Sequence, residues 1–304
     1  MMKSVNVYYA GIAAKNNKPE KRQVLEYFHK GVPGNQSTEI YDQSWRPSDL
    51  AVIQGWVHDN SNLKSPHLRF RKHIIEQQKN INKHVLAIDS NLFLYRDVNN
   101  TKNYLRFSLD DVFPKKGNYF IDDIDPNRWK QIKSDLNINL MDWRKKGDHI
   151  LICMQRNGGW SMKGIHVMDW CHRTINEIKK YTDRPIVIRA HPGDKKAKNY
   201  LRFSDDVKVS KSPSLLEDLD NAWATITYNS SPGVASAIEG VPVFVTDTDP
   251  CNSQAYDVAN CDLSLIESPL MPDRQKWIEK ISMSHFNFQD LKQGIAWEII
   301  EKYI

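Results

Sequence analysis

The chain has 304 residues, 40% of them hydrophobic, and a formal net charge of +5 at pH 7. That length is enough for two domains that each bury a core. No apolar run approaches the roughly 18 residues that a membrane-spanning helix needs, and the N-terminus lacks the basic start and long apolar region of a signal peptide. We therefore expect a cytoplasmic protein without a membrane span.

The cysteines and histidines give no pattern that is typical of a metal site. The four cysteines form no C-x-x-C pair, and the ten histidines show no helical metal-binding spacing. We predict reduced thiols, no disulfide, no metal and no resident cofactor.

Apolar strands alternate with helical stretches in the first half, which is typical of α/β proteins with parallel sheets. Strands are predicted over residues 4–9, 50–56 and 85–88, and helices over 19–30 and 66–80. Residues 99–148 are polar, aromatic and rich in turns, so we place the domain junction near their end. The prediction is an N-terminal, acceptor-binding Rossmann-like domain over residues 1–146.

The second half alternates more regularly. Strands are predicted over residues 149–154, 185–189, 207–210, 223–228 and 241–246, and helices over 167–181, 214–219, 233–239, 272–282 and 290–303. This predicts a second Rossmann-like domain over residues 147–284, with ligands at the carboxyl ends of its strands. Residues 285–304 are expected to cross back to the first domain.

One hexapeptide, Asn-Tyr-Leu-Arg-Phe-Ser, occurs at residues 103–108 and again at residues 199–204. A six-residue identity without similar flanking sequence is too short to establish duplicated halves. We interpret it as a coincidence.

The most informative stretch is residues 225–247, which is predicted as a buried strand, a polar turn, a short helix and a second buried strand. Asn229, Ser230 and Ser231 stand where the helix begins, with Pro232 at its first position and Gly233 next. Free N–H groups and hydroxyls at such a turn favour an anion, so we assign Asn229, Ser230, Ser231 and Gly233 to a phosphate-binding site.

Two further turns of the second half support the same interpretation, and the first of them follows the predicted strand at residues 149–154. Arg156, Asn157, Gly158 and Gly159 follow the first strand, and the glycines permit a close approach of the backbone to a phosphate. The spacing matches neither a P-loop nor G-x-G-x-x-G. An ordinary glycine-containing loop is the alternative.

Arg189 and His191 follow the strand at residues 185–189, before Pro192 and Gly193 turn the chain. Alternate residues at a strand end point to the same side, so both side chains are predicted to face one ligand. Arginine offers a fork for phosphate, and histidine donates one N–H or acts as a cation. A surface turn with a solvated arginine is the alternative.

The His-Pro pair at a strand end and the Ser-Ser pair at a helix start together resemble the donor half of certain GT-B glycosyltransferases, among them sialyl-, polysialyl- and capsule Kdo transferases. The resemblance covers roughly residues 149–250. It implies a GT-B-like α/β fold, with two Rossmann-like domains that face each other across a cleft. It also implies that His191, Ser230 and Ser231 hold the phosphate of a nucleotide sugar. Many such enzymes carry a glutamate on the donor ribose where this chain has Ala235, so the nucleoside is not assigned.

The first domain is then expected to hold the acceptor and the catalytic base. A hydroxyl acceptor needs a carboxylate or histidine within hydrogen-bonding reach. His58 and Asp59 stand beyond one predicted strand, and Asp89 ends another. Asp59 is preferred as the base, and a turn-capping role is the alternative for Asp89.

Two acceptors fit these expectations. The size, basic balance and cytoplasmic character are similar to those of phage DNA glycosyltransferases, which favours 5-hydroxymethylcytosine in DNA. The His-Pro and Ser-Ser pairs point more directly to capsule or surface-glycan synthesis. DNA is preferred because no amphipathic membrane-binding segment is evident. A non-catalytic protein that binds nucleotides or sugars is the third hypothesis.

Overall fold

The structure is a computed structural model that describes residues 2–12, 19–58, 61 and 63–304. The chain forms two compact units. Unit 1 combines Met1–Leu136 with Glu279–Ile304, and unit 2 is Asn137–Ile278. Each unit is built on one sheet that is wholly or mainly parallel, as the alternating pattern predicts.

The first segment of unit 1 forms most of its sheet. Its elements are β1 (Val5–Tyr8), α1 (Pro19–Gly31), β2 (Ser37–Ile40), β3 (Leu50–Gln54), α2 (Pro66–Asn80), β4 (His84–Asp89), β5 (Leu105–Leu109) and α3 (Pro126–Leu136). Strands β1 to β4 pair in parallel, and β5 is antiparallel to β4. The strand β1 is buried along its whole length, which is typical of parallel strands that are covered on both faces.

Unit 2 contains a five-stranded sheet in the order β10-β9-β6-β7-β8, and every pair in it is parallel. Its elements are β6 (His149–Cys153), α4 (Val167–Ile178), β7 (Ile186–Arg189), α5 (Ala197–Tyr200), β8 (Val207–Val209), α6 (Leu215–Leu219), β9 (Ala222–Thr227), α7 (Pro232–Ile238) and β10 (Val243–Val245). All six residues of β9 are buried. The carboxyl ends of these parallel strands lie along one edge of the sheet.

The C-terminal segment completes the sheet of unit 1. After α8 (Gln275–Met283), its elements are β11 (His285–Phe286), α9 (Phe288–Lys292) and α10 (Ile295–Ile300). Strand β11 pairs antiparallel with β5, which gives the six-stranded order β11-β5-β4-β3-β1-β2. Leu291 and Trp297 join the same apolar core as Phe28 of α1.

The unit boundaries differ from those predicted at residues 146 and 284. Residues 137–148 belong to unit 2 because their backbone bonds lead there: Met141 N–H donates to Ile238 O at 2.9 Å, and Asp148 N–H donates to Asn221 O at 2.7 Å. Ser284 belongs to unit 1, since its carbonyl accepts from Phe107 N–H at 2.7 Å. A turn-rich composition marks a connection but not the unit against which the connection packs.

The two copies of the hexapeptide adopt different structures. The copy at residues 103–108 turns at Asn103, which has a φ of 56°, and continues as strand β5. The copy at residues 199–204 begins in helix α5 and continues without regular structure. Identical local sequence therefore takes its conformation from its surroundings, which is consistent with a coincidental repeat.

Among the described residues, no helix combines the length and the apolar character needed to cross a membrane.

A buried ion pair fastens the C-terminal segment to α3. Arg128 donates to Asp290 at 2.9 Å, and the two side chains are 5% and 3% exposed. Arg128 also donates to the carbonyl of His285 and lies over the ring of Phe286. Asn287 and Asp290 form a capping box at the start of α9.

We predict that Asp290→Asn lowers the free energy of unfolding by about 3–5 kcal/mol, because it leaves the buried Arg128 without a counter-charge. Urea denaturation measures this. The matched control is Asp206→Asn, whose partner Lys179 and own side chain are 41% and 58% exposed, and which should cost less than about 1 kcal/mol. Equal losses in the two variants would contradict the assignment.

His285 provides a pH-dependent contribution to stability. Burial lowers its pKa to about 3, and the nearby Arg106 and Arg128 also lower it, although a hydrogen bond to Ile281 O opposes them. Its Nδ1–H donates to Ile281 O at 2.9 Å, and Nε2 accepts from Leu92 N–H at 3.2 Å, so the folded protein holds the neutral ring.

The unfolded chain protonates this histidine near pH 6.5, so it binds a proton that the folded state excludes. Stability from His285 is therefore complete above about pH 6.5 and falls as the pH drops towards 3, by up to about 1.4 kcal/mol per pH unit. Urea unfolding between pH 7 and 5 should show a steeper loss for the native chain than for His285→Gln. Parallel pH profiles would contradict this prediction.

Candidate donor-phosphate site

Five loops leave the carboxyl edge of the unit 2 sheet, and the predicted site concerns those after β6, β7, β9 and β10. In the sheet, β6 lies between β7 and β9, so its loop separates the other two. Neighbouring strands are about 4.8 Å apart, which places the loops after β7 and β9 roughly 10 Å from each other. The loops after β7 and β9 therefore flank the loop after β6 at this edge.

Asp247, which follows β10, connects three of these loops. Its side chain is fully buried and accepts from Lys163 at 2.6 Å, from Asn229 at 2.6 Å and from Asn252 at 3.0 Å. Burial raises the pKa of Asp247, but hydrogen bonds from Asp249 N–H and from these three side chains outweigh burial, and the net shift is downward. Asp247 is thus an ionised scaffold carboxylate that the sequence interpretation missed.

Asp194 connects the loop after β7 to the loop after β6. It follows β7 and accepts from Asn157 N–H at 2.9 Å and from the Tyr200 hydroxyl at 2.5 Å. The side chain of Asn157 bonds to His166 Nε2 at 3.0 Å and accepts from Val167 N–H at 3.3 Å. Asn157 therefore holds the loop at the start of α4, as Asn229 holds the loop after β9. Both side chains therefore position loops, and a phosphate contact by either residue stays a prediction.

Ser230 is a predicted phosphate ligand whose side chain lacks a hydrogen-bond partner in the described part of the chain. Its hydroxyl oxygen is buried and makes no hydrogen bond with any described residue. Among the described residues, no group accepts from the N–H of Ser230 or Ser231, and the side chain of Ser231 is exposed. A buried hydroxyl without a partner is costly, and an anion that accepts from it removes that cost.

The helix α7 contributes less to this site than predicted. It has seven residues, and Ser231 has helical angles, φ −58° and ψ −24°, without a side-chain cap. The dipole of so short a helix is weak, so anion binding at this turn would depend on the hydroxyls and N–H groups. A Cβ at Gly233 would lie 3.3 Å from Val243 Cγ1 and 3.4 Å from Ala255 Cβ, so this glycine also permits close packing, and its phosphate contact stays a prediction.

His191 and Arg156 belong to neighbouring loops of the same edge. His191 Nδ1 accepts from Gly193 N–H at 3.0 Å, so the neutral ring carries its proton on Nε2. Burial lowers the pKa of His191, and the charge of Arg156 lowers it further, while Asp194 opposes them. At neutral pH His191 is therefore a hydrogen-bond donor and not a cation. Arg156 is exposed and supplies the positive charge.

Arg189 does not face the ligand edge beside His191, and we correct this prediction. Its Nη1 donates to the Asp218 carboxylate and to the carbonyls of Ser212 and Ser214, at 3.2 and 3.0 Å for the carbonyls. The ion pair is 15% and 5% exposed. Alternation predicts a shared side only while the chain stays extended, and the chain leaves the strand directly after Arg189.

The two glycines after β6 differ in what they permit. Gly158 has a φ of 69°, a conformation that favours glycine, and no atom lies within 4 Å of an added Cβ. A Cβ at Gly159 would lie 3.1 Å from Arg156 O. Open space beside Gly158 is compatible with the predicted approach of a ligand.

The three predicted base candidates of unit 1 differ in their surroundings and in whether the structure describes them. Asp59 lies outside the described residues. Asp89 ends β4, where its Oδ2 accepts from buried Arg106 at 2.8 Å and its Oδ1 accepts from Ser90 N–H at 2.7 Å. The ring of His58 packs on Phe113, with 5.3 Å between centroids. Asp89 is thus engaged by the protein through both oxygens.

No group of three or more metal-ligating side chains occurs among the described residues.

No protein-family model and no curated protein sequence matches the chain. Two solved structures from Thermosulfurimonas dismutans share its fold. The KpsC β-Kdo 2,4-transferase is 12% identical, with 93% of this chain and 90% of that chain covered and a TM-score of 0.54. The KpsC β-Kdo 2,7-transferase is 11% identical, with 97% and 99% covered and a TM-score of 0.53. At the level of the fold, these similarities confirm the resemblance to GT-B enzymes such as the Kdo transferases.

Proposed function

We propose that this protein is a glycosyltransferase that uses a nucleotide sugar and transfers the sugar to a hydroxyl of a glycan. The observation that carries the proposal is the unpartnered, buried hydroxyl of Ser230 at the carboxyl edge of a parallel sheet. It stands beside two free N–H groups, and His191 and Arg156 follow neighbouring strands. The fold shared with two Kdo transferases supports the same class of enzyme.

The donor's phosphate is the group that these residues fit. Ser230 Oγ–H, the N–H groups of Ser230 and Ser231, and Nε2–H of His191 are neutral donors, and Arg156 adds one positive charge. When the glycosidic bond to the donor breaks, negative charge develops on the leaving phosphate. Donors fixed in advance by Asp247 and Asp194 stabilise that charge without reorganising.

A glycan acceptor is preferred over DNA. The predicted DNA acceptor depended on size, mild basicity and the lack of an amphipathic segment, and the fold comparisons add no support for it. The two Thermosulfurimonas dismutans structures described above are Kdo transferases, and the His-Pro and Ser-Ser pairs resemble capsule Kdo transferases. His58, Asp59 and Asp89 remain the predicted base candidates, with the acceptor in unit 1.

The test measures binding of nucleoside mono- and diphosphates by calorimetry, and then sugar transfer from a panel of nucleotide sugars. We expect Ser230→Ala and His191→Ala each to weaken binding of the preferred nucleotide about 10- to 100-fold, since each removes a hydrogen bond to a charged group. The matched controls are Ser264→Ala and His172→Ala, at exposed positions of the same unit, and they should bind like the native chain.

The outcomes separate the hypotheses. Unchanged nucleotide affinity in both site variants would show that the phosphate site is assigned to the wrong residues. Tight nucleotide binding with no turnover of any nucleotide sugar would favour a non-catalytic binding protein. Transfer to hydroxymethylated DNA, with none to glycan acceptors, would restore the DNA acceptor.

A further inference from the structure

A second candidate site lies at the carboxyl edge of the unit 1 sheet, around Arg71 of α2. The Arg71 side chain is drawn into the protein, with the residue 8% exposed. Its Nη1 donates to the carbonyl of Gln54, the last residue of β3, at 2.5 Å. The guanidinium therefore lies at the edge where parallel sheets receive ligands.

Two glycines make room for this side chain. A Cβ added at Gly11, in the turn after β1, would lie 3.0 Å from Arg71 Cγ. A Cβ added at Gly55, directly after β3, would overlap Arg71 Nη1, and Gly55 has a φ of 85° that favours glycine. The turns after two neighbouring strands are thus shaped around the guanidinium.

The charge of Arg71 is not balanced by the described residues. It forms no ion pair with any of them, and its Nε is buried without a hydrogen-bond partner. The nearby carboxylate, Asp89, is bonded directly to Arg106, which is itself buried, at 2.8 Å. One carboxylate thus stands near two buried guanidiniums, and a buried unpaired charge is costly.

Neighbouring groups reinforce the positive character of this edge. His67 lies one helical turn before Arg71 on α2, so the two side chains share a face of the helix. Burial lowers the pKa of His67, and the charges of Arg71 and of Lys21 on α1 lower it further. Burial also lowers the pKa of Arg71 to about 10, while Asp89 opposes that shift.

We propose that Arg71 is the centre of an anion-binding site that receives a carboxylate or phosphate group of the acceptor. The planar guanidinium can bind such a group through Nε and Nη2, since Nη1 is occupied by Gln54. The inference rests on the proposed function only in calling the ligand the acceptor. A neutral acceptor would leave the buried charge unbalanced.

The experiment uses the full chain with the double substitution His191→Ala/Ser230→Ala, which removes the unit 2 phosphate site. Calorimetry measures binding of inorganic phosphate and of glucuronate at constant ionic strength, with glucose as the neutral control. We expect phosphate or glucuronate to bind and glucose not to bind. The anion that binds more tightly shows whether the natural group is a phosphate or a sugar carboxylate.

Arg71→Gln in that background should weaken anion binding at least tenfold, and Arg71→Lys, which keeps the charge but loses the fork, should weaken it less. The matched control is Arg69→Gln on the exposed face of α2, where the guanidinium donates to Leu63 O and Lys64 O, and it should have no effect. Equal anion affinity in the background and in Arg71→Gln, or no binding of either anion by the background protein, would overturn the proposal.

A second readout covers the case in which Arg71→Gln does not fold. An anion held by Arg71 adds a negative charge near His67, so phosphate should raise the pKa of His67 in an NMR titration, with the signal assigned from His67→Gln. A purely structural Arg71 leaves that pKa unmoved. Nucleotide binding in unit 2 is measured separately on the native chain, so its failure would leave this result intact.

Discussion

A buried negative charge at Asp247 sets the layout of the carboxyl edge of unit 2. Its carboxylate has no access to water and must be neutralised and hydrogen-bonded by the protein. Lys163 comes from the loop after β6, Asn229 from the loop after β9, and Asn252 from the chain beyond β10. Satisfying one charge therefore fixes three segments in a single arrangement.

Ser230 takes its position from this arrangement, because it follows Asn229 directly. Its hydroxyl is buried and has no hydrogen-bond partner among the described residues. Asp194 fixes the loop after β6 in a similar way, because its carboxylate accepts from Asn157 N–H. The aspartates are thus the scaffold, and the groups they leave unsatisfied are those available to a ligand.

Several buried charges are satisfied within their own unit, among them the pair Arg128–Asp290 in unit 1, whereas Arg71 is not balanced by the described residues. In unit 2, Asp247 and the pair Arg189–Asp218 are satisfied internally, so those charges stabilise the fold and are not available to a ligand. In unit 1, Arg71 shares the influence of Asp89 with Arg106 and retains an unpartnered Nε. A buried charge that the described residues leave unbalanced is where we expect a ligand of opposite charge.

Most of the parallel strands of both units could be predicted because they are short, mainly apolar runs bounded by polar or turn-forming residues. Strand β5 was missed because Leu-Arg-Phe-Ser-Leu interrupts such a run with Arg106, whose burial depends on Asp89 of β4. Contacts between residues distant in sequence also explain why the positions of Arg189 and Arg71 could not be predicted from the local sequence. Arg189 is directed away from the ligand edge by Asp218, and Arg71 is buried because Gly11 and Gly55 leave room for it.

The turn between β9 and α7 was predictable, since Asn-Ser-Ser-Pro after a buried strand is typical of a helix start. That it binds phosphate stays a prediction. Which of its side chains contact other parts of the protein could not be predicted. Whether Asn229 binds a ligand or an aspartate depends on what β10 places opposite it, and the local sequence carries no record of that contact.

The assignment of Ser230 and His191 to a phosphate site is best tested by a crystal structure of the native chain with its preferred nucleoside mono- or diphosphate. We expect a phosphate group within hydrogen-bonding distance of Ser230 Oγ, Ser231 N and His191 Nε2, with Asp247 still bonded to Asn229 and Lys163. A nucleotide phosphate bound elsewhere, with Ser230 Oγ still without a partner, would show that the assignment is wrong.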